Sequence, residues 1–361
     1  MFDQIYKLEN LCFAFTQAQL DNRYKRKICA FTFSLEENLM RLRWELFSGS
    51  YHPRPYTYFM LHDPKTRSIA APAFHDRIVQ HSLVNQIQPL FEKQFICDSY
   101  ACRANKGTHF AATRLKKFLM ASRSVYGKDV PIYVLQCDIR KFFQSVSWDI
   151  LLSVVTKSIT CPKTFSLIKT IVTTHHELES AKIDDCPQMS LFEPVKESAQ
   201  TSISVENRTG LPIGNLTSQL FANIYLNQLD HFIKDRLRVK YYARYMDDFL
   251  IISPDKEFLK EMLGKIREFL KNDLHLTLHP KKLTIKNVSD GVPFVGYRIF
   301  YDHILIRGNT LQRIERNYRS KKKQVKRGTL TDKKMGETKA SITGHLKHAN
   351  TFGLTKKIFE D

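Results

Sequence analysis

Three carboxylates stand where apolar surroundings make charge expensive. Asp138 closes the β-rich run Pro131 to Ile139, and Asp247-Asp248 interrupt two strand-like runs, Val239 to Tyr245 and Phe249 to Ile252. Acid pairs are common in exposed turns, but such a turn needs no flanks like Tyr245-Met246 and Phe249-Leu250-Ile251-Ile252. An unpaired buried acid pair is very costly without cations. One strand delivering an acid beside an acid-tipped hairpin gathers hard oxygen donors at one point, the ligand set of divalent cations. The chemistry such a set performs is phosphoryl transfer. Two Mg²⁺ ions about 4 Å apart would activate a hydroxyl nucleophile and hold a triphosphate.

The rest of the composition points to a polyanionic partner. Net charge is +20 with a pI near 9.6, and 25 Phe and 15 Tyr supply rings able to stack on bases. From Tyr301 to Asp361 there are fifteen bases against six acids, concentrated in Arg313 to Arg327. His175 to Arg208 is the reverse, an acidic island with seven acids, three bases and no periodicity. Seven cysteines without C-x-x-C spacing argue against disulfides and zinc and for a reducing, cytoplasmic compartment. No apolar run reaches membrane length, and the start, Met-Phe-Asp, lacks the features of a signal peptide.

The elements that must position the acids follow from periodicity. Ser34 and Glu37 have capping-box spacing ahead of Leu35, Leu39, Leu42 and Leu46, predicting a helix. A second helix is expected from about Asp76, with an extended hairpin and loop in the proline-rich stretch Tyr51 to Pro72 before it. Long helices are expected over Leu216 to Leu237 and Lys256 to Leu274, and a strand over Phe294 to Phe300. Together these predict an α+β fold with a sheet covered on one face.

At Tyr245-Met246-Asp247-Asp248 the sequence resembles the Tyr-x-Asp-Asp signature of reverse transcriptases. Asp138-Ile139-Arg140-Lys141-Phe142-Phe143 is similar to their first acidic motif. Pro212 to Gln219 resembles the segment under the incoming nucleotide, and Phe294-Val295-Gly296-Tyr297 the primer grip. Arg67-Ser68-Ile69, Asp76 to Gln80 and Ser99 to Arg103 look like fingers motifs of the bacterial enzymes. The likeness runs from about residue 50 to 300. Ile213-Gly214-Asn215-x-x-Ser218-Gln219 narrows it, because group II intron enzymes carry glutamine before that glycine. The resemblance reaches the diversity-generating-retroelement and antiphage defence-associated groups without separating them.

The resemblance implies a right-hand polymerase, with fingers, a palm bearing a ferredoxin-like (RRM-like) antiparallel sheet, and a short helical thumb. The expected divisions are 1–130 for N-terminal extension and fingers, 131–290 for palm with the 175–208 insertion, and 291–361 for primer grip and basic thumb. It implies two Mg²⁺ ions, replaceable by Mn²⁺, on Asp138, Asp247, Asp248 and the Ile139 carbonyl, with Lys282 as general acid. Lys65 and Arg67 would neutralise the triphosphate, Phe143 would exclude a 2′-hydroxyl, and Ile213, Gly214 and Gln219 would line the nucleotide. Phe294, Gly296 and Tyr297 would hold the primer. Arg77, Arg103, Arg313, Arg316, Lys321, Lys322, Lys323 and Lys326 would contact nucleic acid.

The bland alternatives are a core phenylalanine at 143, a solvated basic turn at 65–67 and a merely solubilising tail. Implied partners are a structured non-coding RNA with its cDNA product, an accessory protein or second subunit, and a second copy of the chain. Gln188 to Phe192 is similar to peptides that dock on a sliding clamp; its alternative is packing onto the palm. The rival functions are an RNA-binding maturase or scaffold without polymerisation, and an RNA-dependent RNA polymerase, which Phe143 disfavours.

Overall fold

The computed structural model describes residues 1–20, 22–62, 66–184 and 208–360. Along the chain run α1 (Phe2–Ile5), α2 (Leu8–Ala18), α3 (Arg26–Phe33), α4 (Leu35–Ser48), β1 (Thr57–Leu61), β2 (Arg67–Ala71), α5 (Phe74–Glu92) and α6 (Thr108–Tyr126). Next come β3 (Tyr133–Asp138), α7 (Phe142–Ser145), α8 (Trp148–Thr156), α9 (Pro162–Asp184), α10 (Leu216–His231), β4 (Tyr241–Tyr245), β5 (Asp248–Ser253) and α11 (Lys256–Asn272). The chain ends with β6 (Thr284–Asn287), β7 (Val292–Phe294), β8 (Tyr297–Ile299), β9 (Ile304–Ile306), α12 (Gly308–Lys326), α13 (Asp332–Leu346) and α14 (Phe352–Glu360). No helix among the described residues is long and apolar enough to cross a membrane.

The chain divides into two compact units that alternate in sequence. The first unit takes residues 1–95, 140–229 and 269–277; the second takes 96–139, 230–268 and 278–361. In the first unit α2 lays Leu11, Ala14, Phe15 and Ala18 inward and packs on α5, whose Ile78, Leu83, Ile87 and Phe91 are buried. Leu11, Ala14 and Ala18 on α2 and Leu83, Ile87 and Phe91 on α5 recur at intervals of three and four residues, the stripe an amphipathic helix presents to a core. β1 and β2 form the expected antiparallel hairpin, pairing Leu61 with Arg67 at its loop end and Thr57 with Ala71 at its open end.

The second unit holds the four-stranded sheet, in the order β4-β5-β3-β6 and antiparallel throughout. Its central strands read Tyr-Val-Leu-Gln-Cys-Asp and Asp-Phe-Leu-Ile-Ile-Ser because both faces are buried. One face is covered by α6, through Leu115, Phe118 and Leu119 against Val134, Tyr241, Leu250 and Ile252. The small sheet β7-β8-β9 and the buried Tyr318, Ile342, Leu346 and Ile358 of α12 to α14 belong to the same core.

The α+β expectation agrees with this mixture of helices and antiparallel sheets. Several local expectations need correction. Ser34 does precede α4 but makes no side-chain capping bond. The helix expected to reach Leu237 is α-helical only to His231 and then widens into a π-turn, Phe232–Arg236, closed by Leu237 N–H to Phe232 O at 3.0 Å. Phe294 to Phe300 is a hairpin, because Val295 and Gly296 both take positive φ. The basic tail is three helices where one was expected, and α9 carries the first ten residues of the acidic island, 175–184. The remainder of the island, with Gln188 to Phe192, lies outside the described residues, as does Lys65.

Candidate active site

Register brings two of the three acids together. β3 pairs with β5 so that Asp138 lies opposite Asp248, the last residue of one strand facing the first of the other. Tyr245 also pairs with Asp248, leaving Met246 and Asp247 as the turn. Asp248 is open to solvent on one side, yet burial by the protein around it comes first in raising its carboxyl to about 7. A hydrogen bond with Asp138 and the charges of Asp247 and Asp138 add to the rise. Lys282, on the short 3-10 turn Pro280–Lys282, ion-pairs with Asp138. Asp138 also holds this segment through its carbonyl, which accepts from His279 N–H at 2.8 Å.

Two carboxylates pressed together, one with its proton affinity raised, form an oxygen donor set deficient in positive charge. That fits a hard divalent cation. Asp247 is the next residue along the turn from Asp248, and no group of three or more His, Cys, Asp or Glu side chains among the described residues is gathered as a metal site.

Beneath the turn lies a residue to which sequence reading assigned no role. Arg244 has no exposed surface and is held by Asp230, Nη2 to Oδ2 at 2.6 Å and Nε to Oδ1 at 2.7 Å. Tyr242 donates to the same Oδ1 at 2.7 Å. Burial alone would lower the Arg244 pKa; the Asp230 carboxylate more than offsets this and the pKa is raised. Arg244 also donates from Nη1 to Met246 O at 3.1 Å and from Nη2 to Ser99 Oγ at 3.0 Å. Met246 stands at φ +55°, a conformation uncommon outside glycine, and the bond to its carbonyl fixes the turn there. The clue in the sequence was a charged residue inside an otherwise apolar strand.

The first unit holds the described residues among those expected around a nucleotide: Arg67, Phe143, Ile213, Gly214 and Gln219. Phe143 is half-buried, edge-on to Phe142, and its carbonyl accepts from Leu211 N–H at 2.7 Å. Gly210 N–H reaches Val146 O at 2.9 Å, and the Trp148 indole donates to Gly210 O at 2.7 Å. The segment thus enters the loop Pro212 to Asn215 already aligned. Ala70 N–H of β2 then bonds Ile213 O at 2.9 Å. Gly214 stands at φ +122°, where a Cβ would come within 2.9 Å of Ile69 Cγ2 and 3.0 Å of Ala70 O. Only glycine fits. Gln219 is exposed on α10, and Arg67 is exposed at the start of β2.

The remaining expected residues divide by exposure. Arg77 Nη2 donates to Ala18 O at 2.7 Å, and Arg103 Nη1 to Ile96 O and Ser99 O at 2.6 and 2.8 Å, so both guanidinium groups brace main chain. Phe294 and Tyr297 are buried, with Gly296 at the turn between them. Lys321 donates to Thr338 Oγ1 at 2.9 Å; Lys322 and Arg313 are half-buried, while Arg316, Lys323 and Lys326 are exposed. Ile139 is buried and bridges Leu278.

The family model described as reverse transcriptase (RNA-dependent DNA polymerase) matches residues 62–299. Protein YkfC of Escherichia coli (strain K12) is 27% identical over 300 residues, covering 73% of this chain and 72% of that protein. The group II intron-encoded protein LtrA of Lactococcus lactis subsp. cremoris is 20% identical over 329 residues, covering 73% of this chain and 50% of LtrA. Among solved structures, apo telomerase from Candida tropicalis truncated from its C-terminal domain aligns with a TM-score of 0.47 at 13% identity, covering 75% of this chain and 60% of that one. The chain thus spans about half of LtrA and a larger share of YkfC.

Proposed function

The chain belongs to the reverse transcriptase family, and from that premise we propose that it copies RNA into DNA with Asp138, Asp247 and Asp248 as its catalytic acids. The observation that carries the reading is the pairing of Asp138 with Asp248 across adjacent strands, beside Asp247 and under the ammonium of Lys282. These carboxylates, with the Ile139 carbonyl, would hold Mg²⁺ or Mn²⁺, which when bound supplies charge neutralisation for phosphoryl transfer. Lys282 Nζ is the proton source for departing pyrophosphate. Arg67 offsets triphosphate charge, and the ring of Phe143 excludes a ribonucleotide by bulk. Arg316, Lys323 and Lys326 lie on the exposed side of α12 and follow template–primer phosphates.

In this reading residues 1–130 supply extension and fingers, 131–290 the palm, and 291–361 primer grip and thumb. The template is a dedicated structured RNA, and the setting is antiphage defence or a diversity-generating retroelement, with an accessory protein or further subunit. Primer extension tests the chemistry: the purified chain with Mg²⁺ and a primed RNA should incorporate dNTPs and reject NTPs. No incorporation with either Mg²⁺ or Mn²⁺ would overturn the assignment. Sequencing nucleic acid that copurifies with the protein tests for the dedicated RNA, whose absence would remove that part alone.

A further inference from the structure

Asn215 stands immediately before α10, where an asparagine side chain ordinarily accepts from the first amides of the helix. Here it does not. Its side chain is fully buried, Nδ2 donates to Tyr56 Oη at 2.8 Å, and Oδ1 has no hydrogen-bond partner among the described residues. An orphaned buried acceptor is destabilising, so the amide is spent on the tyrosine at the expense of the cap.

Tyr56 closes a strap, 51–56, whose other end is equally fixed. Tyr51 Oη donates to Asp76 Oδ1 at 2.9 Å, and Arg54 N–H to Asp76 Oδ2 at 2.9 Å. Asp76 in turn contacts His75 Nδ1 at 3.1 Å, and His75 Nε2 contacts Glu45 Oε2 of α4 at 3.1 Å. The strap leads directly into β1, while β2 is tied to the same loop by Ala70 N–H on Ile213 O and by the close approach of Gly214. Both strands of the hairpin are therefore joined to Pro212 to Asn215, one through a side chain and one through main chain.

We propose that Asn215 is a positioning residue for nucleotide selection. Through Tyr56 it locks the β1–β2 hairpin to the Ile213-Gly214 loop, so that Arg67 and the loop meet the incoming dNTP in one fixed relation. This rests on the reading of the chain as a polymerase. Asn215 touches no substrate; its effect passes through the geometry of its neighbours. Loss of the strut removes the side-chain tie at the β1 end and leaves the Ala70–Ile213 bond and the Gly214 contact at β2, so the hairpin holds Arg67 less firmly.

The test uses Tyr56→Phe, Asn215→Leu and the double variant of the full chain. Tyr56→Phe removes one hydroxyl and keeps the ring, so it folds even where Asn215→Leu does not. Expected are a dNTP KM raised about fivefold, one neutral hydrogen bond's worth, kcat within about twofold, and a higher misinsertion ratio. The double variant should be no worse than either single one, since both break the same bond. Amide exchange supplies a readout independent of synthesis: the Ala70 amide should lose protection in each variant. An unchanged KM and misinsertion ratio in Tyr56→Phe overturns the proposal, as does unchanged Ala70 protection. A wild-type chain that makes no DNA while Ala70 responds as expected would remove the polymerase reading and leave the strut standing without a role in selection.

Discussion

In the second unit the turn that carries Asp247 rests on an arginine without exposed surface, paired to Asp230; in the first, the loop that carries Ile213 and Gly214 rests on a neutral amide bonded to a phenol. The difference follows from what each support must hold. Three carboxylates crowd one end of the sheet, where Lys282 is the cation that pairs with Asp138, while the charge of Arg244 beneath the turn is balanced by Asp230. The loop Pro212 to Asn215 carries no charged side chain, so shape alone has to be kept, and a glycine conformation with short hydrogen bonds suffices. A buried ion pair is costly when half-broken, by about 3–5 kcal/mol. A neutral hydrogen bond is worth about 1 kcal/mol. The first kind of support is therefore expected to weigh on folding and the second, in the role proposed for it, on kinetics.

The sharpest contrast comes from the acids themselves. Asp138→Asn or Asp247→Asn should lower dNTP incorporation by several orders of magnitude, on the scale of removing a principal charge-stabilising group, while the melting temperature and template–primer affinity stay near wild type. Wild-type-like synthesis by both would erase the distinction between acid set and cradle.

Arg244→Met should instead act on the fold. It leaves the Asp230 carboxylate buried and uncompensated, so urea denaturation should show a loss of about 3–5 kcal/mol. Asp230→Asn should approach this from the other side. If Arg244→Met melts like wild type and only synthesis suffers, the buried pair serves catalysis and not the stability of the unit.

For the first unit, Phe143→Val should change selection without a comparable change in stability. Removing one steric block is worth about 1–3 kcal/mol, roughly 10–200-fold in discrimination between rNTP and dNTP. The ratio measured on a fixed template checks it, and an unchanged ratio with lowered stability would make Phe143 a core residue.

The smallest effect concerns pH and lies in the second unit. His109 Nδ1 meets Tyr297 Oη at 2.9 Å, His345 Nδ1 meets it at 3.3 Å, and His348 stacks on His109 at 3.7 Å between ring centroids. Burial first, then neighbouring cationic groups, lowers the pKa of His109 and His345. The unfolded chain therefore binds more protons below the ordinary histidine pKa of about 6.5. Stability from this cluster is complete above that value and declines as pH falls through it. Thermal melts at pH 7.5 and 5.5 should differ, and His109→Gln with His345→Gln should shrink the difference; an equal drop in the variant would locate the titration elsewhere.

Much of the acid set was legible in the sequence because it contradicts its surroundings. Charges inside apolar runs at 138 and 247–248 announce both a strand and a purpose, and the heptad-like spacing of Leu35 to Leu46 announces α4. Local chemistry was enough there, since period and polarity are properties of neighbouring residues. It was not enough at Val295-Gly296, where backbone conformation splits an apolar run into a hairpin, nor at Arg77, whose guanidinium bonds the Ala18 carbonyl 59 residues away. Arg244 reaches Ser99 across 145 residues and Asn215 reaches Tyr56 across 159. No window along the chain contains both partners of either bond. Residue type and spacing were enough to single out the candidate acids and the strands that carry them; the supports beneath them depend on burial and on hydrogen bonds between segments far apart in the chain, which no local pattern encodes.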